Sequence, residues 1–147
     1  MTENGERSEP QVLATVGGSV DQVSVSLAIY ADDLEPETVT SLIGCSPTRA
    51  HRKGDRRGTT VARIGGWFMT ENGTAPETVD EVVGRLLEKL PDDTELWRQL
   101  ATRYDLQLRL GLHVLNWNRG FSLPKELLQR LARMELSLDF DIYADEP

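Results

Sequence analysis

Val23-Ser24-Val25-Ser26-Leu27-Ala28-Ile29 alternates apolar with small or polar residues, and a period of two is the pattern of a strand with one buried face. The strand ends near Ala31. Pro36 then suits a first helical turn, where a missing N–H costs nothing, and Val39, Leu42 and Ile43 form one apolar stripe that Gly44 stops. Strand followed by short helix is therefore the opening unit. A similar order returns at the other end of the chain. Leu106, Leu108, Leu110, Leu112 and Val114 alternate with Gln107, Arg109, Gly111 and His113. Ser122 and Pro124 open a helix with Leu127, Leu128, Leu131 and Met134 inward, and Leu136, Leu138, Phe140 and Ile142 then alternate with Ser137, Asp139, Asp141 and Tyr143.

Between these units a strand runs from Val61 to Met69. The capping-box spacing of Thr74 and Glu77 opens a helix carrying Val79, Val82, Val83, Leu86, Leu87 and Leu90 at a 3.6-residue period. After Pro91, with Asp92 or Asp93 as N-cap, Leu96, Trp97, Leu100 and Tyr104 mark a second helix, Trp97 facing the core. Aligning Pro36 with Pro124 places Val39 on Leu127 and Ile43 on Leu131, a weak internal repeat. Two right-handed βαβ units in one sheet predict an α+β fold. Specifically, they predict a ferredoxin-like four-stranded sheet with a helical hairpin inserted between the halves. The helices lie mainly on one face, and the other face is open.

At 147 residues, with 39% hydrophobic and 27% charged residues, the chain fits one ordinary globular domain, for which about 100–200 residues is usual. We expect residues 1–20 to form a tail, with a short strand at 12–16, and residues 21–147 to form the single domain. The one cysteine, Cys45, supports neither an internal disulfide nor a Cys/His zinc framework. The N-terminus lacks the basic flank and apolar run of a secretory leader, so the expected compartment is the cytoplasm, with no membrane contact. Net charge is −8, yet Arg49, Arg52, Lys53, Arg56, Arg57 and Arg63 stand against Asp55 alone. That segment carries +5 and leaves −13 for the rest. Nucleic acid is an unfavourable partner for such a surface.

Two stretches carry a family resemblance: Asp33-Leu34-Glu35-Pro36-Glu37, and Leu42-Ile43-Gly44-Cys45-Ser46-Pro47-Thr48-Arg49-Ala50-His51-Arg52-Lys53-Gly54-Asp55. With the later Gly66-Trp67 and the closing Leu138-Asp139-Phe140-Asp141-Ile142-Tyr143, the chain resembles the DUF4279 domain family from about residue 22 to 144. It departs by a short Arg-Gly insertion around Arg56 to Gly58 and by Phe68-Met69. The resemblance implies no activity, ligand or catalytic residue.

Two groups of residues are candidates for binding. In the Gly-, Pro- and Arg-rich stretch from Cys45 to Thr60, which reads as a long loop, Arg49, His51, Arg52 and Lys53 lie between turns at Pro47 and Gly54 and suit a phosphate or carboxylate. The plainer reading pairs Arg49 and Arg52 with this protein's own carboxylates. Strand parity gathers Arg63, Trp67, Arg109, His113, Asp139, Asp141 and Tyr143 on the open sheet face, where Trp67 and Tyr143 are flat anchors for a partner. There the plainer reading has Arg63 or Arg109 neutralise Asp139 or Asp141 across strands. A bulge at Gly65-Gly66 instead turns Trp67 into the core. No Walker pattern is present. A metal site needs His51, His113 and Asp141 to meet, and Cys45 reads as core filling rather than an activated thiol. Trp117 and Arg119 stand on the turn before Ser122, placed to rim a pocket.

The expectation is a non-catalytic interaction domain, of the immunity-like kind, whose partner is another protein. The alternative is a small-anion or nucleotide-binding sensor or enzyme using the basic 49–57 loop. No catalytic residue, metal or cofactor is assigned. A flat sheet favours the first reading, whereas a concave pocket with converging His, Arg and Asp favours the second.

Overall fold

The computed structural model describes residues 18–115 and 118–144. The expected strand at 12–16 and Trp117 lie outside them. In chain order the elements are β1 (Gln22–Ala31), α1 (Pro36–Ile43), β2 (Arg49–His51), β3 (Arg56–Arg57), β4 (Thr60–Val61), β5 (Gly65–Thr74), α2 (Val79–Glu88), α3 (Thr94–Arg103), β6 (Asp105–Val114), α4 (Lys125–Arg133) and β7 (Ser137–Ala144). Among the described residues five strands form one mixed sheet in the order β2-β5-β1-β6-β7, and β3 and β4 form a separate small hairpin.

Helix ends follow local chemistry. Pro36 begins α1, and Gly44 closes it in the left-handed region at φ 87°, its N–H bonded to the Thr40 carbonyl. The capping box of α2 is Thr78 with Glu81, one turn later than the Thr74 and Glu77 pair suggested, because β5 runs on through Thr74 against β1. Asp93 caps α3.

The apolar alternation of β1 decides the packing. Val23, Val25, Leu27 and Ile29 share a face with Leu112, Leu110, Leu108 and Leu106 of β6, and Leu27 and Ile29 with Met69 and Trp67 of β5. Val39 and Ile43 of α1, Leu86 and Leu87 of α2, Trp97 and Leu100 of α3 and Leu131 of α4 join them in one buried cluster. All four helices of the described residues therefore cover this face. A buried N–H without a partner costs about 1–3 kcal/mol, and both buried indoles avoid that cost. Trp67 Nε1 donates to Thr40 Oγ1 at 3.0 Å, and Trp97 Nε1 to the Pro91 carbonyl at 2.8 Å.

The sheet corrects the expected topology in two ways. It has five strands, since the stretch read as a loop contains β2, paired to β5 through Arg49↔Phe68 and His51↔Gly66, as well as the β3–β4 hairpin. The ferredoxin-like arrangement is also not reproduced. β1 and β5 are adjacent and antiparallel, so the first half is no parallel βαβ unit, whereas β6 and β7 are parallel. The repeat of proline-started helices is thus a matter of local chemistry only. The long connection from α1 through the β3–β4 hairpin lets the chain re-enter the sheet from the opposite end.

Candidate functional site

The face of the sheet turned away from the helices is where the polar half of each strand pattern is displayed. Its centre is β1, whose residues on this side are Ser24, Ser26, Ala28 and Tyr30, with Gly111 of β6 beside Ser24. Small side chains on the central strand leave a floor, and larger ones on either side stand as walls. The result is a cleft of about 240 Å³ whose lining includes Ser24, Ser26, Arg49, Phe68, Arg109, His113, Asp139, Asp141 and Tyr143.

One wall is built on the β2 edge. The Arg49 guanidinium lies 4.2 Å from the centre of the Phe68 ring, the geometry of a cation–π contact. Phe68 meets Tyr30 edge-on at 5.4 Å and the His51 ring at 5.7 Å. Gly66 makes this possible, because a Cβ there would fall 2.7 Å from the Phe68 ring and 3.0 Å from His51 Cε1. Phe68 is 5% exposed although it faces away from the core. Among the described residues no carboxylate pairs with Arg49.

The other wall comes from β6 and β7. Arg109 Nη1 donates to the Tyr30 hydroxyl at 3.0 Å, and its Nε stands 3.7 Å from Asp139, its direct neighbour in the β6–β7 register. Tyr143 donates its hydroxyl to Asp141 at 2.5 Å, and its ring stacks on His113 at 4.8 Å. That bond to a carboxylate raises the Tyr143 pKa, since ionising the phenol would place two negative charges together. Among the described residues Asp141 has no cationic partner. Arg49, Phe68, Tyr30 and Arg109 thus form a continuous line across the cleft with a guanidinium at each end.

The two groups of sequence candidates meet here in part. Arg49 and His51 of the basic stretch join Arg109, His113, Asp139, Asp141 and Tyr143 on one face, because β2 is a strand that carries them there. Arg52 and Lys53 do not. Arg52 bonds Glu35 at 2.7 Å and Glu37 at 2.6 Å, and Lys53 stands 3.9 Å from Asp32. The pull on Glu37, from its own backbone N–H and then from Arg52, lowers its pKa. Arg63 lies in the bend between β4 and β5, outside the sheet. Trp67 is fully buried, since its register partner Ile29 places it on the core face. The flat residue on the open face is its neighbour Phe68, which the sequence reading missed along with Tyr30. The signal for Tyr30 was present, because it has the opposite parity to Ile29.

Arg119 stands 3.4 Å from Asp21 rather than at the cleft. His51 and His113 occupy opposite ends of the face, and no group of three or more His, Cys, Asp or Glu among the described residues is placed to hold a metal ion. Cys45 packs against the core, and burial raises its thiol pKa, the reverse of an activated nucleophile. Among the described residues no helix is long and apolar enough to cross a membrane. Residues 21–145 match the family model for DUF4279, described as a domain of unknown function. No curated protein and no solved structure matches the chain.

Proposed function

The chain belongs to the DUF4279 family, and from that premise, which brings no activity with it, we propose that this is a non-catalytic binding domain taking a small anionic ligand on its open sheet face. The observation that carries the reading is Arg49. Its charge is unbalanced by any described carboxylate, its guanidinium is held flat on Phe68, and it faces Arg109 across a floor of serines. A guanidinium presents a planar fork of donors that matches carboxylate or phosphate oxygens, and one already positioned loses little entropy on binding. The stretches that carry the family resemblance supply Arg49 and His51 at one wall and Asp139, Asp141 and Tyr143 at the other.

The test is thermal unfolding against carboxylates and phosphates. A ligand at 100 times its dissociation constant stabilises by about 2.7 kcal/mol, a rise of about 5–10 °C for a chain this long. Arg49→Gln abolishes the rise, and Arg52→Ala, whose cation is already paired, leaves it intact. Equal loss in both variants would overturn the assignment to this cleft.

A protein partner is the second reading, and one observation favours it. Among the described residues β7 is a free edge of the sheet, and Phe140 and Ile142 on it are 42% and 61% exposed. Such an edge accepts an added strand. Ile142→Asp then removes a partner identified by mass spectrometry in a pull-down, while Arg49→Gln leaves it bound. The opposite pattern returns the partner to the cleft.

A further inference from the structure

The charges around the cleft are sorted by side. The β2 wall presents Arg49 without a described counter-ion. The β7 wall presents Asp139 and Asp141, and of these Asp139 already faces Arg109, while Asp141 is held only by the neutral hydroxyl of Tyr143. A ligand bearing only negative charge would satisfy Arg49 and leave Asp141 unbalanced beside it.

We propose that the ligand is dipolar, its anionic group at Arg49 and a cationic amino group at Asp141. This deepens, and rests on, the reading of the open face as a binding site. Strands lie about 4.8 Å apart, so the four intervals from β2 to β7 place the walls roughly 19 Å apart at the backbone. Both side chains shorten that gap, Arg49 by lying inward over the Phe68 ring, one strand closer to the centre. The charges then stand on the order of 10 Å apart, given the strand spacing.

An α-amino acid is too short to bridge that distance. An extended peptide spans about 3.3–3.6 Å per residue, so three residues with free termini reach from one charge to the other. The cleft volume of about 240 Å³ lies below the ~300–1,000 Å³ usual for drug-sized ligands, which also favours a short peptide with small side chains. The class assigned is a short zwitterion with widely separated charges. A free tripeptide and an ω-amino acid are its two sources.

Calorimetric titration of the full chain with triglycine, N-acetyl-triglycine, triglycine amide and 6-aminohexanoate tests this. Triglycine binds, and blocking either terminus weakens binding at least tenfold. Binding of 6-aminohexanoate as tightly as triglycine makes the separated charges sufficient, and weaker binding assigns the peptide backbone a share. In Asp141→Asn, triglycine and its acetylated form bind alike. In Arg49→Gln, triglycine and its amide bind alike. Both positions are exposed, and circular dichroism verifies that the variants fold.

If N-acetyl-triglycine binds the wild type as well as triglycine does, the dipolar inference fails and the anion site stands. The inference fails in the same way if phosphate or a simple carboxylate binds in an Arg49-dependent way and triglycine does not. If neither triglycine nor any simple anion binds, both the inference and the reading beneath it fail.

Discussion

Gly66 and Trp67 show how much one residue's facing decides. Trp67 turns inward to Ile29 and Thr40, and Gly66, one position earlier, opens the space on the other face that Phe68 and His51 fill. A methyl group at Gly66 would sit within 3.0 Å of both rings, so Gly66→Ala forces them aside. Overpacking of this kind costs about 1–3 kcal/mol, and here the displaced Phe68 also loses its place under Arg49. Urea unfolding of Gly66→Ala reads the first effect, and weakened ligand stabilisation reads the second. Loss of stability with unchanged ligand response would separate Phe68 from the site. The sequence announced the glycine but could not say which of two successive aromatic residues it served, because parity is fixed only when a strand finds its neighbour.

At the scale of elements, α2 is tied to β5 by more than its apolar stripe. Glu71 accepts from Arg85 Nε at 2.9 Å and also bonds Lys89, while Arg85 bonds Glu77 as well and donates to the Asn72 carbonyl at 2.7 Å. Lys89 first, and Arg85 with it, hold the Glu71 carboxyl below its ordinary value, against the opposing effect of burial. A carboxyl that titrates lower in the folded than in the unfolded chain stabilises fully above the unfolded pKa of about 4.3. That contribution is lost as pH falls through the folded value. Glu71→Gln is therefore less stable than wild type at pH 7, and the gap between the two narrows below about pH 4. Denaturant unfolding at pH 7 and at about pH 3.5 measures both gaps, and a difference independent of pH would assign the effect to packing instead. The helix stripes and caps were legible in advance from periodicity and from Asp93. The start of α2 was not, since Thr74 with Glu77 and Thr78 with Glu81 offer the same local chemistry and only β5 pairing chooses between them.

Across the whole molecule the described residues share one apolar cluster, in which Trp67 and Trp97 are both fully buried. A single core predicts one cooperative transition, so tryptophan fluorescence and far-ultraviolet circular dichroism should give coincident unfolding curves. Separated curves would divide the chain into two units. By itself the sequence determined the α+β class, the apolar face of β1, β6 and β7, the positions of the helices and the family, because periodicity, capping and proline placement act over a few neighbouring residues. It also showed a basic stretch and a polar sheet face as separate features. Only the tertiary structure decided that they adjoin. Three residues, Arg49 to His51, pair with β5 as an edge strand too short to show a period, and that pairing carries Arg49 and His51 to the face that Asp141 reaches from β7. Strand order and direction were likewise beyond the sequence. They depend on which distant segments bury each other's backbone hydrogen bonds, and a period of two in one segment does not name its partner.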